Sequence, residues 1–145
     1  MTSLKLFTVM SSICNLVRGY FMKIDGEVTT GLGKAVYFLS QEFYTKEFEK
    51  NLGFIPYPGT LNVIVSEEFL DEINEIKNNC ENLIKPDEGF GAVKYIEAKL
   101  CDKINGAIVF PAKTTHEENY LEFIAENKLR DELNLNDGDI VSLKF

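Results

Sequence analysis

The sequence predicts a small β-rich barrel. Short apolar or alternating runs are punctuated by glycine and proline, and long stretches of 3.6-residue periodicity are scarce. About six such runs fall within the last 120 or so residues, without the helices that alternate with strands in a parallel sheet.

The elements follow in order. Lys23-Ile24-Asp25-Gly26-Glu27-Val28 alternates directly after Met22 and reads as a first strand. Gly31-Leu32-Gly33 breaks it, and apolar character resumes at Tyr37-Phe38-Leu39. Within residues 41 to 51 and just beyond, Tyr44, Phe48 and Leu52 stand four apart, the spacing of a short amphipathic helix. Pro56-Tyr57-Pro58-Gly59 forces an extended turn before the strand Thr60-Leu61-Asn62-Val63-Ile64-Val65, which puts Thr60 and Asn62 on one face. Ser66 is placed to cap a helix over 66 to 79, with Glu67 and Glu68 complementing its dipole. Strands are expected at 91 to 100, 106 to 111, 118 to 125 and 140 to 145. Another short helix is expected from Asn127 to Leu133, capped by the Asn127 side chain and burying Leu129 and Leu133. The turn Asp137-Gly138-Asp139 launches the last strand.

A chain of 145 residues, 45% apolar, fits one domain around one core. Its net charge of −8 argues against nucleic acid and anionic membranes as partners, while leaving room for a local cradle around a phosphorylated small molecule. Cys14, Cys80 and Cys101 have neither zinc nor disulfide spacing and are expected as reduced, buried thiols; His116 stands alone as a histidine ligand. No run approaches the roughly 18 to 20 apolar residues that span a bilayer. Lys5 and Arg18 interrupt the mildly apolar start, so a cytoplasmic protein is expected. Residues 1–21 read as an N-terminal extension, docked or partly disordered, with Met22 an alternative natural start; 22–145 reads as the barrel domain.

Candidate chemistry begins at Gly31-Leu32-Gly33-Lys34-Ala35. The P-loop pattern fails, because Val28 stands five residues before Gly33 and Ala35 takes the hydroxyl position; the dinucleotide pattern fails at Val36. A plain hairpin or bulge and an anion-binding loop both remain open. Thr60 and Asn62 offer two neutral oxygens suited to Mg²⁺, or else a solvated polar face. Glu122, in Tyr120-Leu121-Glu122-Phe123-Ile124, is a hydrogen-bond acceptor or general base if it faces inward and an ordinary surface carboxylate if not. Thr114 follows Pro111 in what looks like a polar turn, and Arg130 is a surface residue or a phosphate clamp.

The order of these segments adds what none supplies alone. Gly26-Glu27-Val28, GLGKAVYFLS (31 to 40), LGFIPYPGTLNV (52 to 63), FGAVKYIEAKL (90 to 100), GAIVFPAKTTH (106 to 116) and LEFIAENKLRDELNLNDGDIV (121 to 141) together resemble the archaeal CTP-dependent riboflavin kinases, from about residue 22 to the C-terminus. The resemblance implies a six-stranded Greek-key barrel of the cradle-loop, riboflavin-kinase-like type with two or three short helices. It implies that the segment matching Gly31, Leu32, Gly33, Lys34, Ala35 and Val36 wraps the nucleotide, completed by Asn127, Lys128, Leu129 and Arg130. Positions matching Thr60 and Asn62 would hold Mg²⁺, and those matching Thr114 and Glu122 would contact the flavin.

The implied activity is transfer of the γ-phosphate of CTP to the 5′-hydroxyl of riboflavin, giving FMN and CDP, by a monomer with no nucleic-acid or membrane partner. Glu122 is then the candidate catalytic base. Two positions depart from the family pattern: GLGKA replaces the frequent GLGEG, and Glu126 stands where proline often follows the alanine. Many relatives also carry a winged-helix domain, which 21 residues cannot hold. The competing expectation is a barrel that binds a flavin or nucleotide as a sensor without turnover.

Overall fold

Period-two alternation in the sequence becomes a closed antiparallel barrel in the computed structural model, which describes residues 22–31, 39–85, 91–111 and 119–145. The strands are β1 (Lys23–Thr29), β2 (Leu61–Val65), β3 (Leu83–Ile84), β4 (Val93–Leu100), β5 (Ile104–Pro111), β6 (Tyr120–Ile124) and β7 (Ile140–Lys144). Their order is β3-β4-β5-β6-β2-β1-β7, and β4 pairs again with β7, so six strands form a ring with β3 as an extra edge. The β6–β2 and β1–β7 neighbours are remote in sequence, which is Greek-key connectivity.

Closure depends on the long strand β4. One edge pairs with β5 throughout, and the other is shared by β3 at Val93 and Lys94 and by β7 at Lys99 and Leu100. At the β4–β5 turn, Cys101 and Asp102 both have positive φ (51° and 58°), and Lys103 N–H donates to Leu100 C=O at 3.0 Å. This is type I′ geometry, whose twist matches the flanking strands. Cys101 N–H reaches across to Ser142 C=O at 2.8 Å, and Lys144 of β7 ion-pairs with Asp102.

The two faces of the ring build two cores. Inward residues, among them Ile24, Val28, Val63, Leu100, Ile108, Phe123 and Leu143, fill the barrel. On the outside, α1 (Glu42–Leu52) lies over β4, β5 and β6, burying Tyr44 and Phe48 against Tyr95, Val109 and Ile124. Phe48 is fully buried and meets the Tyr95 ring edge-on at 5.7 Å; truncating such a residue to alanine costs about 3–5 kcal/mol. Gly53 ends α1 at φ 85°, a left-handed conformation glycine adopts without strain, and its N–H caps Glu49 C=O at 2.9 Å.

Several expectations need correction. Ser66 makes no side-chain cap; a 3₁₀ turn (Glu67–Phe69) intervenes before α2 (Leu70–Asn79). The last helix is shorter than expected, α3 (Leu129–Glu132), with Lys128 rather than Asn127 at its N-cap and no side-chain cap bond. Leu129 enters the barrel core, whereas Leu133 is only partly buried against it. Cys80 and Cys101 are free thiols but half-buried, because one leaves a helix end and the other sits in the β4–β5 turn; Cys14 lies outside the described residues. No helix among the described residues is long and apolar enough to cross a membrane.

Candidate active site

A row of outward-facing side chains crosses five strands in register: Tyr95, Val109, Glu122, Asn62 and Thr29. Tyr95 and Val109 are buried beneath α1, and from Glu122 onward the row is half-exposed and polar. The chemistry-bearing residues therefore begin where the helix cover stops. There a cleft of about 300 Å³ opens, floored by Asn62 and Glu122 and walled by Thr30 and Gly31, by Tyr57-Pro58-Gly59-Thr60, and by Asn127 to Arg130.

Thr60 and Asn62 share a face as their spacing requires. The Thr60 hydroxyl donates to Asn62 Oδ1 at 3.3 Å, and Asn62 Nδ2 lies 3.4 Å from the Thr60 carbonyl. Neighbouring oxygens in an octahedral Mg²⁺ shell, with bonds of about 2.0–2.1 Å, stand about 2.9–3.0 Å apart. The Thr60 and Asn62 oxygens thus need only a small contraction to serve as adjacent ligands, and the donor set fits the ion. Glu122 faces Asn62 directly across the β2–β6 ladder, which brings their Cβ atoms to about 4.5–5.5 Å.

The opposite wall is held by Asp137. Its Oδ2 accepts from the Thr30 hydroxyl at 2.6 Å and its Oδ1 from Arg130 Nη2 at 2.5 Å; Nη2 also donates to Thr29 C=O at 3.1 Å. The Thr30 hydrogen bond, followed by that of Arg130, holds the Asp137 carboxyl below the usual carboxylate range. Tyr120 OH donates to Thr30 C=O at 2.6 Å, so Thr29 and Thr30 are tied by both their carbonyls. The Tyr57 turn is anchored by its N–H to Ala125 C=O at 2.8 Å, just past β6.

Gly31, Thr60, Asn62, Glu122, Asn127, Lys128, Leu129 and Arg130, named from the sequence, all line this one cleft. Leu129 does so although its side chain is turned into the barrel core. Lys128 is exposed and loosely paired with Asp131 at 4.0 Å. Leu32, Gly33, Lys34, Ala35 and Val36 lie outside the described residues, as do Thr114 and His116. Sequence reasoning missed Thr30, Tyr57 and Asp137. Tyr57 and Asp137 sat in segments read only as turns, and neither turn chemistry nor spacing marks a residue that reaches a distant chain segment.

The chain is similar to proteins of known name. The family model for CTP-dependent riboflavin kinases, described as "Domain of unknown function DUF120", matches residues 28–145. A riboflavin kinase of Methanobrevibacter smithii is 75% identical over 124 residues, covering 86% of this chain and 100% of that protein. A riboflavin kinase of Methanosphaera stadtmanae is 40% identical over 129 residues, covering 86% of this chain and 98% of its own. One from Methanothermobacter thermautotrophicus is 43% identical over 115 residues, with 79% and 91% covered.

Proposed function

This chain belongs to the CTP-dependent riboflavin kinase family, and on that premise we propose how its cleft serves the reaction. The enzyme transfers the γ-phosphate of CTP to the 5′-hydroxyl of riboflavin, giving FMN and CDP. One observation carries the assignment to this cleft: Thr60 and Asn62 at β2, Glu122 on β6 and Arg130 on α3 come from three separate segments and line a single opening.

Phosphoryl transfer through a loose transition state demands positioning and charge neutralisation more than covalent help. In our reading the main-chain N–H groups of Gly31, Leu32, Gly33, Lys34, Ala35 and Val36, with the Lys34 ammonium, cradle the triphosphate. Asn127, Lys128, the main chain of Leu129 and the Arg130 guanidinium complete the nucleotide site. Thr60 and Asn62 would hold Mg²⁺, which when bound neutralises phosphate charge, and two uncharged ligands leave that charge to the substrate. Glu122 binds the ribityl chain and accepts the 5′-hydroxyl proton, and Thr114 contacts the flavin. Residues 22–145 form the catalytic barrel and 1–21 an extension to it. The surplus of acidic residues argues against nucleic acid and supports a monomer acting on small molecules; we read the protein as cytoplasmic.

The test is conversion of riboflavin to FMN with CTP, ATP, GTP or UTP and Mg²⁺, followed by chromatography. FMN formed fastest with CTP is the expected result. Riboflavin binding without FMN from any donor would replace the kinase reading by that of a sensor.

A further inference from the structure

We propose that Asp137 is a positioning residue for the nucleotide: its carboxylate orients the Arg130 guanidinium and, through Thr30, pins the start of the glycine segment. Both walls of the cleft are then set before the triphosphate arrives. The inference deepens the kinase reading and rests on it.

The geometry is a bridge between remote pieces of chain. One carboxylate oxygen takes Arg130 Nη2 at 2.5 Å, and the other takes the Thr30 hydroxyl at 2.6 Å, from a residue 107 positions away. The base of the bridge is fixed. Gly138 N–H donates to Val28 C=O and Val28 N–H to Asp139 C=O, each at 2.8 Å, so the turn carrying Asp137 is laddered onto the end of β1. The turn is closed internally by Asn136 N–H to Asp139 Oδ2 at 2.8 Å. Asp137 therefore delivers its two oxygens from a rigid mount, as a positioning residue must.

Its effect on Arg130 is specific. Among the described residues the guanidinium contacts Asp137 and Thr29 C=O, both through Nη2, whose two hydrogens they use. The three remaining hydrogens, on Nε and Nη1, meet no other described residue and can serve a ligand, and the residue that carries them lines the cleft. A guanidinium held in one orientation loses less freedom when an anion docks.

Charge alone predicts the reverse. A carboxylate beside an anion site repels the anion, so if Asp137 acted only through its charge, removing it would tighten nucleotide binding. Positioning predicts weaker binding. The sign of the effect decides between them.

The experiment is calorimetric titration of CDP into wild-type protein and the D137A, D137N, R130A and D137A/R130A variants, with FMN formation and thermal unfolding measured on each. D137A should bind CDP about tenfold more weakly, with KM for CTP rising in step while KM for riboflavin and Tm stay close to wild type. D137N, which keeps one acceptor oxygen, should fall between wild type and D137A. In the R130A background the D137A change should shrink to what the Thr30 arm contributes. Unchanged or tighter CDP binding by D137A overturns the proposal. So does a loss in which riboflavin affinity and Tm fall together with CDP affinity, or an undiminished D137A effect without Arg130. Wild-type protein that binds CDP but makes no FMN ends the kinase reading while the D137A comparison still decides this one. Wild-type protein that binds no CDP overturns both.

Discussion

Gly31 packs so tightly on Asn62 that a Cβ built on the glycine would stand 2.2 Å from Asn62 Nδ2 and 2.8 Å from Oδ1. No real Cβ approaches heavy atoms that closely, so any larger residue here displaces the Asn62 amide, the movable end of that side chain. The Asn62 amide is meanwhile held by Thr60, the residue just before β2. In Gly31→Ala the amide must swing away, carrying its oxygen off the metal-binding arrangement proposed with Thr60. A misplacement of about 1 Å at a reacting centre can cost about 10²-fold. We expect turnover to fall at least about tenfold and the Mg²⁺ concentration for half-activity to rise, with part of the loss recovered at high Mg²⁺. A G31A enzyme with wild-type Mg²⁺ dependence would show that the contact does not reach the metal site.

Asn62→Ala removes the oxygen outright. Asn62 is half-exposed on the outer face of β2 and contributes nothing to the barrel core, so folding should be almost unaffected. Turnover should fall by about 10²-fold or more, because charge neutralisation at the phosphates is the largest part of this chemistry. Unfolding curves that superimpose on wild type, beside a collapsed rate, are the expected pair of results. An N62A enzyme with near-normal turnover sinks the assignment of Asn62 to the metal.

Glu122 stands opposite Asn62 on the neighbouring strand and lines the same cleft. If it takes the proton, Glu122→Gln should lower kcat by about 10²–10⁴-fold with little change in KM for riboflavin. If it only binds the ribityl chain, KM for riboflavin rises while kcat persists. Our reading expects the first pattern, and steady-state kinetics with riboflavin varied at saturating CTP separate the two.

The difference between these residues and Asp137 shows what the sequence makes legible. Thr60 and Asn62 follow from strand periodicity, since residues two apart must share a face. The α1 helix was readable because Tyr44 and Phe48 repeat at helical spacing and are the two residues it buries. Strand β3 was not, because two residues are too few to show a period. Ring order was not legible either: β6 lies beside β2 through long-range pairing that no local pattern encodes. Asp137 belongs to the same class. Its role depends on Thr30 and Arg130 meeting at one point, and only the closed barrel brings them there. The caps failed for the opposite reason. Ser66 and Asn127 have good capping chemistry, but a 3₁₀ turn after one and a later helix start after the other carry them out of position.

Barrel closure gives the last prediction. Lys144 of β7 ion-pairs with Asp102 in the β4–β5 turn, beside the short β4–β7 pairing that completes the ring. The hydrogen bond from Lys144 is the main influence lowering the Asp102 pKa from its ordinary 3.8; desolvation opposes it, and the charges of Lys144, Lys23 and Lys99 assist. Because the folded-state pKa lies below the unfolded one, the pair stabilises the fold above that ordinary value, and the contribution disappears as pH falls through the lower, folded one. Asp102→Asn removes the contribution at every pH. Wild type should therefore unfold at a higher temperature than D102N by a constant margin above about pH 5, and the two should converge in acid. The carboxylate is exposed, so about 1 M salt should narrow the margin by screening. Thermal melts of both proteins from pH 7 to pH 2.5 make the measurement. A margin that persists undiminished at the acid end would mean that Asp102 supports the turn through its shape, not through its charge.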